Sequence, residues 1–267
     1  MIFVARRPCP EIESCIRLLW YCKAPALPHA RERVLPRGEM QIILNLAGET
    51  LTECSGEQAG TACPLPPGIV VGPRGQYELV DTRDLAELLG IVFRPGGAAP
   101  FLREDASAFF ERFISLEDVV PCRELRSVLR EQTSPMRKLI AVERWLVGGL
   151  GGRALRRRPL TVHALDLLRR HSVRETARAL SVSERHLHQV MKAEVGLSPK
   201  LWSRVQRFQR ALHGLHTGAE PRWEQLALEC GFYDQSHFCN EFRAFSGIDP
   251  STYTASPRLW PNHVPES

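Results

Sequence analysis

Nowhere in the 267 residues is there a run of roughly 18 uncharged apolar residues, the length a membrane-spanning helix needs, so no membrane partner is expected. Arg6 and Arg7 near the N-terminus are followed by Pro8, Cys9 and Glu11 where a secretory leader would carry an apolar core, so no leader is expected either. Histidine is nearly missing from the first half: of nine, only His29 falls within residues 1–152. A β-barrel metalloenzyme holds its ion with two or three histidines and a carboxylate. That site cannot be assembled here, and neither a metal, a cofactor nor an enzymatic activity is expected. The eight cysteines (Cys9, Cys15, Cys22, Cys54, Cys63, Cys122, Cys230 and Cys239) include no CxxC pair. Their scatter suits reduced, mostly buried thiols and a cytoplasmic location.

Charge is present but unevenly placed. Residues 1–152 carry 18 Lys and Arg against 19 Asp and Glu, and residues 153–267 carry 17 against 11. A neutral half joined to a basic half is what a sensor attached to a nucleic-acid binder would show, although a merely solvated basic surface gives the same count. The chain is long enough for two domains, each with its own core. The break is placed at Gly148-Gly149-Leu150-Gly151-Gly152, where four glycines in five residues predict a flexible joint, followed by the basic stretch Arg153–Arg158.

Ahead of that joint, residues 1–100 read mainly as strands. Met40–Leu46, Gly68–Val71 and Leu85–Phe93 are short apolar runs separated by Pro/Gly punctuation. From about 105 to 147 the spacing becomes helical. Leu125, Val128 and Leu129 share one face, and Leu139, Val142, Trp145 and Leu146 share another after Ser134-Pro135 as a helix start. These two helices could dimerise or simply cover the end of the β module. Strands followed by helices define an α+β domain, taken as residues 1–150.

Behind the joint everything reads as helix, and the sequence repeats itself. Arg185–Trp202 lies over Ser236–Tyr253 at an offset of 51, matching His186 with His237, Met191 with Phe242, Gly196 with Gly247 and Pro199 with Pro250. Upstream the offset is 50, pairing Ala177 with Ala227, so the second copy has one extra residue in its turn. Ser172-Val173-Arg174-Glu175 is a capping-box pattern, and Ser183 and Asp234 can cap the third and last helices of the two units. Pro221 is expected to open the helix ahead of the last one. Leu201, Val205, Phe208, Leu212 and Leu215 form a one-sided stripe on a helix that would span roughly 25 Å and join the copies. Each copy has what a helix-turn-helix requires: a small crossing residue (Ala177, Ala227), apolar positions four apart (Leu187 and Met191, Phe238 and Phe242) and an opposite polar face. Those polar faces carry Arg185, His188 and Gln189, and then Gln235, Ser236 and Asn240, all able to donate or accept at base edges.

The C-terminal half resembles the AraC/XylS family of bacterial transcription regulators. The resemblance rests on Gly231-Phe232-Tyr233-Asp234-Gln235-Ser236-His237-Phe238, Phe242-Arg243, Gly247, Pro250 and Tyr253, with Ser183, Arg185-His186-Leu187, Gly196, Ser198-Pro199, Arg207 and Ala211 in and after the first copy. It covers about 161–254 and implies an all-α tandem helix-turn-helix domain, placed at 153–257, whose recognition helices enter adjacent major grooves. By position the base-facing residues would be Arg185, His188, Gln189, Gln235, Ser236 and Asn240, with Lys192 and Arg243, just past each reading face, on phosphates or the rims of the grooves. The chain departs from the family pattern at Ser181 (often Gly), Met191 (often Phe), Gln189 and Asn240 (commonly Arg) and Thr254 (usually Arg). Gln and Asn pair well with adenine, whereas Arg prefers guanine.

The resemblance also implies a small β-barrel-like, cupin-like module in the N-terminal half that binds an effector or dimerises. Phe93-Arg94-Pro95-Gly96-Gly97-Ala98-Ala99-Pro100-Phe101 looks like a segment of a poorly characterised subgroup. Candidate effector residues are Trp20, Tyr21, His29, Arg31, Tyr77, Phe93 and Arg94. The expected partners are double-stranded DNA, RNA polymerase, a small-molecule effector and a second copy of the chain. Two other readings remain at this point. One is a ligand-independent regulator whose N-terminal half only dimerises. The other is an alkylation-repair protein with a methyl-accepting cysteine, although Pro8-Cys9-Pro10, Ala62-Cys63-Pro64 and Pro121-Cys122-Arg123 match neither of its known cysteine patterns. Cys9, Cys15 and Cys22 could form a redox switch, but packing around Leu18-Leu19-Trp20 is the simpler reading.

Overall fold

The computed structural model describes all residues except 55–61, 102–103, 150–155, 217–221, 259 and 267. Most of the glycine joint, the two boundaries placed on either side of it, half of Arg153–Arg158 and the expected helix start at Pro221 therefore lie outside the described residues.

The strands are β1 (Ile2–Arg6), β2 (Ile16–Lys23), β3 (Arg31–Val34), β4 (Gln41–Asn45), β5 (Leu51–Cys54), β6 (Ala62–Leu65), β7 (Gly68–Val71), β8 (Glu78–Asp81), β9 (Glu87–Phe93), β10 (Phe113–Ser115) and β11 (His263–Pro265). They form two antiparallel sheets, β1-β2-β9-β4-β7-β10 and β11-β3-β8-β5-β6, that face each other without closing into a barrel. The central strand β9 is buried along almost its whole length, because both of its faces are covered. Leu88 points between the sheets with Leu51, Ile69 and Val71. Leu89, Ile91 and Phe93 point the other way, under a layer of helices.

Those helices are α1 (Leu116–Val119), α2 (Leu125–Glu131) and α3 (Pro135–Gly148). Ser134 caps α3, accepting from the Arg137 amide, and Pro135 takes the first turn, where its missing N–H is no loss. Leu125, Leu129, Leu139, Val142 and Leu146 pack onto Leu19, Ile42 and Leu89, so the pair seals the outer face of the larger sheet. Arg6 and the Cys9 amide both bond Glu143, fastening β1 and the turn after it to α3.

The C-terminal half comprises α4 (Pro159–Leu167), α5 (Val173–Ala179), α6 (Glu184–Val195), α7 (Pro199–Leu215), α8 (Trp223–Cys230), α9 (Gln235–Ser246) and α10 (Pro250–Ala255). The exception to the all-helical expectation is β11. After α10 the chain returns to the N-terminal half and pairs with β3, His263 opposite Val34 and Pro265 opposite Glu32. Three residues carry no periodicity of their own, and this strand exists only because β3 offers it an edge. Val264, and Leu35 from the N-terminal half, are both buried in the core built by α7, α8, α9 and α10. The two halves thus share a core.

Candidate nucleic-acid interface

The two helix-turn-helix units are built by the same local chemistry. In the first, Ser172 accepts from the Glu175 amide while the Glu175 carboxylate accepts from the Ser172 amide, a complete capping box on α5. Val182 N–H then donates to the Ala177 carbonyl across the turn, and in the second unit Phe232 N–H donates to Ala227. Ala177 and Ala227 are both buried, as small crossing residues should be. The extra residue of the second turn is Tyr233, which is pushed out to 85% exposure. Ser183 caps α6 and Asp234 caps α9, and both helices end on a left-handed glycine, Gly196 and Gly247. The turn itself needs a left-handed residue: the second unit uses Gly231 (φ 84°), and the first uses Ser181 (φ 55°), which has no glycine's freedom.

The inner faces are apolar and the outer faces wet. Leu187 and Met191 of α6 and Phe238 and Phe242 of α9 are fully buried. Arg185, His188 and Gln189 are exposed on α6, as are Gln235, Ser236, Asn240 and Arg243 on α9. Lys192 is half-buried with its ammonium over the Phe110 ring at 5.0 Å, and Arg243 pairs with Asp249. The helix α7 serves both units at once. Its Trp202 belongs to the first core, and Val205, Phe208, Ala211 and Leu212 belong to the second. Arginines absent from the list of site residues drawn from the sequence fix the geometry. Arg204 makes two bonds to Glu241, of 2.8 and 2.6 Å, and Arg210 joins the Arg169 carbonyl of one unit to the Cys230 carbonyl of the other. Their signal in the sequence is their spacing on the polar side of the α7 stripe.

The far ends of both recognition helices rest on the N-terminal half. A Cβ built on Gly196 would lie 2.6 Å from Pro73 and 2.7 Å from the Ala106 carbonyl, so only glycine fits that seat. Gly247 lies against the Tyr77 ring.

Between the two sheets lies a cavity of about 430 Å³, walled by Leu18, Trp20, Ile43, Leu51, Leu88 and Phe113 and closed in part by Trp260 of the C-terminal tail. Arg74 and Glu78 face it as an ion pair, the Arg74 guanidinium 4.3 Å from the centre of the Phe113 ring. Burial pushes the Glu78 carboxyl up to about 7 despite the opposing pull of Arg74. Of the effector candidates, Trp20 lines this cavity. His29 and His263 both bond Glu32, Arg31 reaches Glu266, Tyr77 lies under Gly247, and Arg94 faces a different cleft between the two halves. Tyr21 donates to Glu87 on the opposite side of the sheet, and Phe93 is buried against Phe101. No helix among the described residues is long and apolar enough to cross a membrane.

The matched caps, turns and crossings, with one helix spanning both cores, define a tandem helix-turn-helix DNA-binding domain. Residues 176–256 match the helix-turn-helix domain family, and residues 5–115 match a domain of unknown function, DUF6597. The C-terminal half carries a helix-turn-helix domain of the AraC type. No curated protein matches it. Among solved structures it is similar to ToxT from Vibrio cholerae O395, with 10% identity over 94% of this chain and 96% of that one and a TM-score of 0.48. It is also similar to an AraC-type regulator from Chromobacterium violaceum, with 26% identity over 38% and 96% and a TM-score of 0.34. The DNA-binding domain of AdpA, solved with a target DNA, shows 26% identity over 36% and 86% and a TM-score of 0.32.

Proposed function

We propose that this regulator reads two successive major grooves on one face of its operator, α6 in one and α9 in the next. Arg185, His188 and Gln189, then Gln235, Ser236 and Asn240, meet base edges. Lys192 and Arg243 meet phosphates. The observation that carries this reading is the pairing of a buried apolar face with an exposed polar one on both helices, each with a side-chain N-cap and a left-handed glycine C-cap. The single rigid helix α7 between them suits a fixed spacing of one helical turn of DNA. Bound there, the protein would regulate initiation by RNA polymerase. The apolar cavity between the sheets favours control by a small apolar molecule over an N-terminal half that only dimerises. Two of the three cysteines that the alkyl-acceptor reading would use are poorly suited to it: burial pushes the thiols of Cys9 and Cys122 up to about 11, away from the thiolate such a transfer needs, whereas Cys63 is exposed.

The test is selection of the purified protein against fragmented genomic DNA at two salt concentrations, read by sequencing. Two enriched elements about 10 bp apart are expected. Binding that is strongly salt-dependent and enriches no motif would mean phosphate contacts alone and would overturn the reading.

A further inference from the structure

A second cleft, of about 580 Å³, lies where the two halves meet, and its charge is one-sided. Among the described residues, Arg17, Arg37, Arg94, Arg157 and Arg169 line it against two carboxylates, Glu39 and Asp166. Arg17 is already held by Glu39 at 2.8 Å. Arg94 reaches the Glu13 carbonyl, and Arg157 the carbonyls of Ser14 and Pro95. The guanidinium groups of Arg37 and Arg169 have no hydrogen bond or ion pair to any of the described residues. A guanidinium taken out of water without an anion is costly, and several together repel one another. Burial holds both Arg37 and Arg157 below the usual arginine value; Glu39 opposes this at Arg37, while Arg17 and Arg94 respectively add to it. A second, independent sign comes from Trp202 in the wall of the cleft: it is 1% exposed, and its indole N–H is buried with no acceptor.

We infer that this cleft is a binding site for a small, hydrophilic, multiply charged anion, a phosphate or carboxylate compound, held by Arg37, Arg94, Arg157 and Arg169 with the Trp202 N–H. Guanidinium groups match both oxyanions in a fork, which gives the class its specificity. The site adjoins the apolar cavity between the sheets, with which it shares Arg37 and Glu39, but its other arginines lie outside that cavity. Its ligands come from three parts of the chain: Arg37 and Arg94 from the N-terminal half, Arg157 from the segment between the halves, and Arg169 and Trp202 from the helix-turn-helix half. An anion there neutralises the repulsion across the seam and favours the docked arrangement, in which Gly196 and Gly247 rest on the N-terminal half. A ligand that binds the docked state better than the undocked one shifts the population toward it.

The experiment is calorimetry and thermal unfolding of the full chain, without DNA, with pyrophosphate and with citrate, each against sodium chloride of matched ionic strength. Saturable binding of at least one, with a rise in Tm that the chloride control lacks, is expected, and the two arms separate a phosphate ligand from a carboxylate one. Arg157→Gln and the exposed Arg169→Gln should each weaken binding by about tenfold or more, while Arg123→Gln, exposed on the N-terminal half, should not. A response no greater than that to chloride, or wild-type affinity in both cleft variants, would overturn the site. Because no DNA is present, the result is independent of the reading of α6 and α9.

Discussion

Gln189 and Asn240 occupy the positions on the exposed faces of α6 and α9 where the family commonly has Arg. An amide side chain there pairs best with adenine, so each alanine substitution is expected to cost about 1–3 kcal/mol on the selected site and to relax preference at one base position. Unchanged preference in both variants would show that the reading face lies elsewhere. A different chemistry acts at Glu78. Its carboxyl is raised from 4.5 to about 7 by burial, so the folded state binds a proton that the unfolded state has released. That contribution is fully present below about pH 4.5 and is lost as pH rises through about 7. Urea melts between about pH 5 and pH 8 should show stability falling with pH, on the order of 1–3 kcal/mol from this group at 1.36 kcal/mol per unit. In Glu78→Gln that slope should disappear, even though the variant leaves Arg74 without its partner and is less stable throughout. Reading the sequence placed Gln189 and Asn240 at matching positions of the 51-residue repeat, and both side chains are exposed. It could not find Glu78 or Arg74, whose importance comes from the cavity around them.

At the scale of elements, the two units differ most in their turns. Gly231 takes the left-handed conformation without cost, and Ser181 takes it against the roughly 1 kcal/mol that a Cβ imposes. Ser181→Gly is expected to stabilise the first unit by up to about 1 kcal/mol, partly offset by the greater freedom of glycine in the unfolded chain. Chemical denaturation should register it, and a loss of stability would mean that the serine side chain supports the turn. Helices were legible because their caps and stripes are local: Ser134, Ser172, Ser183 and Asp234 all cap where their positions predict. The strands β4, β7 and β9 were legible as apolar runs. The strands β3 and β8 were not, because charge interrupts their apolar pattern: Arg31, Glu32 and Arg33 in β3 pair with Glu266 and His263 at the far end of the chain, and Glu78 and Asp81 in β8 pair with Arg74 and Arg83.

Across the whole molecule, the C-terminal tail is the connection that local reasoning misses. Trp260 packs at a tilt against Phe3 with ring centres 4.7 Å apart, Val264 enters the core of the second helix-turn-helix unit, and Glu266 holds Arg33. Ending the chain after Ser256 should therefore loosen both halves. Loss of Val264 burial alone is worth about 1.5–3 kcal/mol. Hydrogen exchange at β3 should rise together with exchange in α7. If β3 remains as protected as in the full chain, the tail is an ornament to the fold and not a strap across it.

By itself the sequence determined the tandem unit: two copies in phase, their caps, their small crossings and the amphipathic helix between them. All of these arise from contacts within a few turns of chain, which periodicity records. Only the tertiary structure decided how the halves meet. The seat of Gly196 on Pro73 and Ala106, the return of β11 to β3, the shared burial of Leu35 and Val264, and the arginines gathered around the cleft join residues up to some 230 positions apart, as Glu32 and His263 are at 231. Such contacts depend on loop closure and on the burial that follows it, and neither leaves a local pattern to read.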